Sequence, residues 1–163
     1  MDREMLRQFY ECYSGEIYLY LFSLCKNHET AEDMMQEVFL KALLSWKDES
    51  GNLRAWLYKV ARNTCFNHMK KKKRETVMEE EMPDTEIPIV EKLLMDEEKK
   101  ILYEGMLSLP IRQREILELF YFSEMSVREI AFFLRLSQEN VRVLAHRARK
   151  ALKKYMEVNG YDI

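Results

Sequence analysis

Leu109 to Tyr155 reads LPIRQREILELFYFSEMSVREIAFFLRLSQENVRVLAHRARKALKKY, and this stretch decides the fold. Ser126 to Glu129 (SVRE) is a capping box in front of the apolar pair Ile130 and Ala131. A short helix is expected to Leu134, then a brief turn to Ser137, a second N-cap residue. From there Val141, Leu144, Ala145, Ala148 and Leu152 recur at i, i+3, i+4, i+7 and i+11, one face of a longer helix. Its other face offers Gln138, Asn140, Arg142, His146, Arg149 and Lys153. Between Gln138 and Lys154 there are six Lys/Arg and one acid, Glu139. A short helix, a turn and a long helix with a cationic outer face suit insertion into a DNA major groove. Helical hairpins and solvated basic faces are common, but two cap signatures combined with a basic second helix favour DNA. In the turn, Arg135 stands where such motifs often carry Gly. If the backbone there is left-handed, Arg135 costs about 1 kcal/mol relative to Gly.

Composition agrees with an all-α chain. Only 4 Gly and 3 Pro in 163 residues leave little turn material, while 47% hydrophobic residues suffice for one medium domain or two small ones. The net charge of −2 conceals segregation. Arg54 to Arg74 holds eight Lys/Arg and no acid, whereas Glu75 to Glu104 holds eleven Asp/Glu and three Lys. Blocks of this kind mark separate working surfaces, and two basic helices imply an anionic partner. The 3 cysteines (Cys12, Cys25, Cys65) lack a pairing pattern, as expected of reduced thiols. Cys25 and His28 have no second ligand pair at zinc-finger spacing, so a buried thiol is the expectation and no metal or cofactor is assigned. No apolar run approaches the length of a membrane span and no signal peptide is recognisable, which predicts a cytoplasmic protein without membrane contact of its own.

Working toward the N-terminus, residues 75–90 (ETVMEEEMPDTEIPIV) lose helical period and contain two prolines, which reads as an acidic linker. It divides the chain into a first domain at 1–74 and a second at 91–163. In the second, helical pattern resumes with Leu93, Leu94, Ile101, Leu102 and Met106, and Pro110 opens a further helix to Phe122. In the first, Met5, Leu6, Phe9 and Tyr13 predict one helix, and Ser14 is expected to cap a second carrying Ile17, Tyr20, Leu21 and Leu24. Thr30 to Asp33 resembles the capping signature of a third, running to Leu44, with Ala31, Met34, Met35, Val38 and Ala42 inward and Glu32, Asp33, Gln36, Glu37 and Lys41 outward. A fourth covers Leu53 to Arg74. Its inward stripe is Leu53, Leu57, Val60, Ala61 and Cys65. Lys59, Arg62, Asn63, Phe66, Asn67 and Lys70 share the opposite face. Cations for phosphates, amides for base edges and a ring for stacking on one strip suit nucleic acid.

Three segments together, AEDMMQEVFLKAL (Ala31 to Leu43), NLRAWLYKVARNTCFNHMKKKKR (Asn52 to Arg74) and LPIRQREILELFYF…SVREIAFFL…NVRVLAHRARKAL, resemble bacterial sigma factors of the extracytoplasmic-function (ECF) group, in the family's order and over nearly the whole chain. The resemblance implies an alternative sigma factor that directs core RNA polymerase to particular promoters. It implies docking on the polymerase clamp coiled coil through Asp33, Gln36, Glu37 and Phe39. It implies capture and melting of the −10 element by Trp46, Trp56, Lys59, Arg62, Asn63, Asn67 and Lys70, with the Lys47 to Asn52 loop as a base-pocket wall. The −35 element would be read by Arg142, Val143, His146 and Arg147, with Arg149 and Lys150 on phosphate. Further implied partners are the polymerase flap and an anti-sigma factor, and the linker would thread toward the polymerase active site and RNA exit. Met34 and Met35 replace the family's usual Leu/Val pair, a volume-conserving change.

A stand-alone helix-turn-helix regulator would explain the C-terminal half only, leaving the Ala31 to Leu43 surface and the Asn52 to Arg74 helix without a purpose. An enzyme fits worse. A carboxylate-bridged bundle site built on Glu32, Asp33 and Glu37 needs Glu-x-x-His pairs, and none of His28, His68 and His146 follows a Glu at that spacing. There is no Gly-rich phosphate loop and no nucleophile–base arrangement, so no catalytic residue is assigned.

Overall fold

The computed structural model describes residues 2–47, 51–75 and 97–160. All regular structure among them is helical: α1 (Arg3–Cys25), α2 (His28–Ser45), α3 (Leu53–Glu75), α4 (Glu97–Leu107), α5 (Ile111–Tyr121), α6 (Val127–Leu134) and α7 (Gln138–Val158). The chain divides into two compact units, Met1–Ile87 and Pro88–Ile163. Nearly all of the expected linker, and the expected helical start at 91–96, lie outside the described residues.

The first unit packs α1, α2 and α3 against one another. Here α1 corrects the sequence expectation: residues 3 to 25 form one helix, and Ser14 caps nothing. The apolar register explains this. Phe9, Tyr13, Ile17, Tyr20 and Leu24 continue at helical spacing through Ser14 and Gly15, so a good cap residue arrives without a break in the buried face. The cap of α1 is Asp2, which accepts from the Met5 N–H at 2.8 Å. From Ile17 to Leu24 every residue of α1 is buried, all round the helix, because α2 and α3 both pack on it. Lys26 then turns left-handed at φ 52° and its N–H closes on Phe22 O. Asn27, not Thr30, caps α2, accepting from the Thr30 N–H at 2.9 Å.

Buried Ala31, Met34, Met35, Val38 and Ala42 come from α2 as expected. The inward face of α3 is wider than the predicted stripe: Tyr58 and Thr64 are buried with Leu53, Leu57, Ala61 and Cys65, and Val60 is only half-buried. Tyr58 meets Tyr20 with ring centroids 5.0 Å apart, and Thr64 accepts from Lys41 Nζ at 3.1 Å across the α2–α3 seam. Each fully buried large apolar side chain contributes about 1.5–3 kcal/mol relative to exposure.

In the second unit, α7 packs on α4, α5 and α6. Met106, Leu109, Leu117, Ala148, Leu152 and Met156 form its core. Gly105 lets α4 approach closely, since a Cβ there would stand 2.7 Å from Leu152 and 2.8 Å from Tyr155. Arg114 is buried in α5 and donates to Leu109 O at 3.0 Å, fastening the α4–α5 turn. Burial pushes its guanidinium below the usual value, opposed by Tyr103 and Glu118. The capping box of α6 is complete: the Glu129 N–H donates to Ser126 Oγ at 3.1 Å and the Ser126 N–H donates to Glu129 Oε1 at 3.3 Å. Arg135 is left-handed at φ 58°, and the Leu136 N–H reaches Ala131 O at 2.9 Å, the closing bond of a Schellman-type end. Ser137 caps α7, accepting from the Asn140 N–H at 3.0 Å.

Candidate nucleic-acid interfaces

The helix-turn-helix presents α7 with two unlike faces. Val141, Ala145, Ala148 and Leu152 are buried, while Arg142, Val143, His146, Arg147, Arg149 and Lys150 are all exposed. Because the core side is small and apolar, α7 sits close to its supports and the longer cationic side chains project outward. Arg142 lies within 3.4 Å of Gln138 Oε1, one turn earlier. Arg149 folds back, its guanidinium carbon 5.0 Å from the centre of the Phe120 ring on α5. Such a helix can offer charge-assisted hydrogen bonds to phosphates along its flanks and donors to base edges near its N-terminal end.

On the first unit, Lys59, Asn63, Asn67 and Lys70 form an exposed strip along α3. Arg62 and Phe66 border it, half-buried, with the guanidinium carbon 4.6 Å from the ring centre. Asn52 caps α3, accepting from the Ala55 N–H at 3.3 Å. Trp56 is half-buried and meets Trp46 edge-on, centroids 5.6 Å apart. Trp46 itself is only 6% exposed. Its indole therefore supports Trp56 more than it offers a face of its own, and residues 48–50 of the expected pocket wall lie outside the described residues.

Asp33, Gln36 and Glu37 are exposed together on α2, and Glu37 pairs with Lys41 at 3.2 Å. Phe39 differs from them: it is 4% exposed and packs edge-on against Tyr10 of α1, centroids 5.1 Å apart. The sequence reading missed the apolar surface beside this strip. Leu40 is 54% and Leu44 76% exposed, and Leu6, Tyr10, Phe39 and Leu43 line a groove between the first half of α1 and α2. The signal was there in the run Phe39, Leu40, Leu43, Leu44, which has more apolar residues than a single buried stripe can absorb. No cluster of metal-ligating side chains occurs among the described residues. Cys65 is buried, Cys25 half-buried with its thiol 3.5 Å from Asn27 O, and Cys12 exposed.

Residues 9–75 match the Sigma-70 region 2 family and residues 99–152 the Sigma-70, region 4 family. The chain is 33% identical over 161 residues to the RNA polymerase sigma factor YlaC of Bacillus subtilis (strain 168), covering 94% of this chain and 93% of that protein. The ECF RNA polymerase sigma factor SigM of the same organism is 28% identical over 149 residues, covering 90% and 91%. Among solved structures, the sigma factor RpoE of Bartonella quintana in complex with the anti-sigma factor NepR superposes with a TM-score of 0.67 at 22% identity, over 93% of this chain and 96% of that one. CnrH in complex with the cytosolic domain of CnrY gives 0.63 at 18% identity, over 98% and 92%. At these identities the two structures speak for the fold. Two sigma-70 regions in order, on two helical units, and a relative of matching length at 33% identity lead to one assignment: the chain belongs to the ECF RNA polymerase sigma factors.

Proposed function

We propose that the three exposed strips divide the work of promoter recognition among them. The Asp33–Gln36–Glu37 strip of α2, with the neighbouring apolar groove, docks on the clamp coiled coil of core RNA polymerase. The Lys59–Asn63–Asn67–Lys70 strip of α3, bordered by Arg62 and Trp56, holds the melted −10 strand, with Trp46 supporting Trp56 from beneath, while Phe39 lines the groove on the docking side. Arg142, Val143, His146 and Arg147 of α7 read the −35 element, while Arg149 and Lys150 hold its phosphates. The second unit meets the polymerase flap, and 75–90 is the linker between domains at 1–74 and 91–163. The initiation chemistry belongs to the polymerase, and the protein works in the cytoplasm, where its DNA is.

The observation that carries this reading is the pairing, on one three-helix unit, of an exposed acidic strip on α2 with an acid-free amide and cation strip on α3. A stand-alone regulator needs neither. RpoE was solved with the anti-sigma factor NepR, and a partner of that kind is proposed to hold this chain until a signal releases it. Run-off transcription with purified core enzyme on genomic promoter fragments tests the whole. Specific transcripts that appear only when the chain is added are expected. Core enzyme that neither binds the chain nor changes its products would overturn the reading in favour of a stand-alone regulator.

A further inference from the structure

Arg149 lies on the flank of α7, not at the centre of its outward face. Its helical neighbours Ala145 and Leu152, at i−4 and i+3, are both buried, whereas Lys150, Arg147 and Val143 point away from the core. An arginine at such a boundary has two courses: it can extend into solvent or lie back on the adjoining helix. Here it lies back, with its guanidinium carbon 5.0 Å from the ring centre of Phe120. Phe120 is half-buried in the last turn of α5, outside the helix-turn-helix itself.

The chemistry of the guanidinium makes this arrangement useful. Stacking on an aromatic ring occupies the flat face of the ion, and its five N–H donors remain in the plane, around the edge. A stacked arginine can therefore hold a phosphate with two parallel N–H···O bonds without leaving the ring. A long side chain fixed beforehand also loses less freedom when the phosphate arrives. Lysine has no such fork and could not do both. The first unit repeats the device in a shorter form, with Arg62 over Phe66 at 4.6 Å on a single helix beside the proposed −10 strip.

We propose that Phe120 is a positioning residue for promoter binding: its ring holds the Arg149 guanidinium at the flank of α7, with the N–H edge set for a backbone phosphate bordering the −35 major groove. The inference rests on the reading that α7 enters that groove.

The test uses holoenzyme assembled on core polymerase and a promoter duplex identified by run-off transcription, with affinity measured over a range of salt concentrations. Phe120→Leu keeps the position apolar but removes the ring, and is expected to weaken binding about two- to five-fold. The loss should be equal on intact and scrambled −35 sequences, and the salt slope should fall by up to about 0.9, the share of one phosphate. Phe120→Tyr should restore both. In an Arg149→Ala background, Phe120→Leu should have no further effect. A loss that is the same with and without Arg149, or a salt slope that does not move, makes Phe120 a packing residue and overturns the proposal while leaving the groove reading intact. If Phe120→Leu unfolds the unit, Phe120→Tyr in the native and Arg149→Lys backgrounds decides instead: binding near native in the first and weakened in the second is expected, and equal binding in both overturns it. If Arg142→Ala and Arg149→Ala both leave binding unchanged, the groove reading fails together with the proposal.

Discussion

Arg54, in the first turn of α3, closes a two-pronged ion pair on Glu16 in the middle of α1, with Nε 2.7 Å from Oε1 and Nη2 2.9 Å from Oε2. The two side chains are only 29% and 18% exposed. Fork-to-carboxylate geometry in a largely desolvated place is the strong form of an ion pair. It also withdraws Arg54 from the cations that could meet DNA. Glu16→Gln removes the charge without changing the shape and is expected to cost about 1–3 kcal/mol. For a unit of this size that lowers the melting temperature by roughly 4–8 °C per kcal/mol. A melting curve superimposable on that of the native chain would mean the pair contributes nothing.

Arg135 is held at φ 58°, where a side chain costs energy that Gly does not pay. Arg135→Gly is expected to raise the stability of the second unit by up to about 1 kcal/mol, partly offset by the greater freedom of Gly in the unfolded chain. Thermal unfolding measures this. If the variant is instead destabilised, the Arg135 side chain must make contacts that outweigh its backbone strain.

The ease of reading differed between these two regions for a physical reason. The helix-turn-helix was legible because caps are local: Ser126, Glu129 and Ser137 satisfy backbone groups within three residues of themselves, so sequence spacing alone determines them. The continuity of α1 was harder to read, because Ser14 is an equally good cap and competes with the unbroken register Phe9, Tyr13, Ile17, Tyr20, Leu24; the packing of Ile17 to Leu24 between two helices decides for the register. The α3 strip was visible in its period. The burial of Phe39 and Trp46 was not, since an aromatic side chain serves as core or contact surface depending on a partner, here Tyr10 and Trp56, that lies distant in sequence. The same holds for Arg54 and Arg149, whose carboxylate and ring lie on other helices, whereas Arg62 meets Phe66 one turn along its own helix. Sequence gives their charge, but only the fold shows which of them is already occupied by a carboxylate or a ring.

The proposed docking strip of α2 should be separable from the fold. Asp33, Gln36 and Glu37 lie at i, i+3 and i+4 and are exposed, while Met34 and Val38 are buried. A double Asp33→Ala, Glu37→Ala change forfeits the exposed Glu37–Lys41 pair, worth at most about 0.5 kcal/mol. Helicity by circular dichroism should stay intact and affinity for core polymerase should fall. Undiminished affinity in competition with the native chain would remove these residues from the interface.

On α7, Arg142 and Lys150 are expected to fail differently. Arg142 stands near the helix start, the part that reaches base edges, and Lys150 two turns further on. Arg142→Ala should cost about 1–3 kcal/mol on the cognate −35 sequence and relax discrimination there, while Lys150→Ala should lower the salt slope by about 1 and weaken all sequences alike. Titrations on cognate and scrambled duplexes separate the two. Identical losses on both duplexes for Arg142→Ala would leave that residue no part in reading bases.

Strand opening is the step that separates a sigma factor from other helix-turn-helix proteins, and Asn63 is the residue on which to test it. Asn63 and Asn67 are exposed one turn apart on α3, between Lys59 and Lys70. An amide in that position has little to do for the fold; it can instead hydrogen-bond the edge of an unpaired base while the neighbouring cations hold the backbone. Taking a base out of its stack costs a few kcal/mol, so loss of a partner for that base should appear as failure to open, not failure to bind. Asn63→Ala is therefore expected to leave closed-duplex binding by the holoenzyme nearly normal and to reduce transcription about ten-fold or more. A template already melted over the −10 region should recover only part of that, because the extruded base still lacks its partner. If Asn63 served packing instead, thermal stability, polymerase binding and transcription would decline together. Permanganate reactivity of the −10 thymines decides between the two: normal reactivity with Asn63→Ala would show that the residue plays no part in opening.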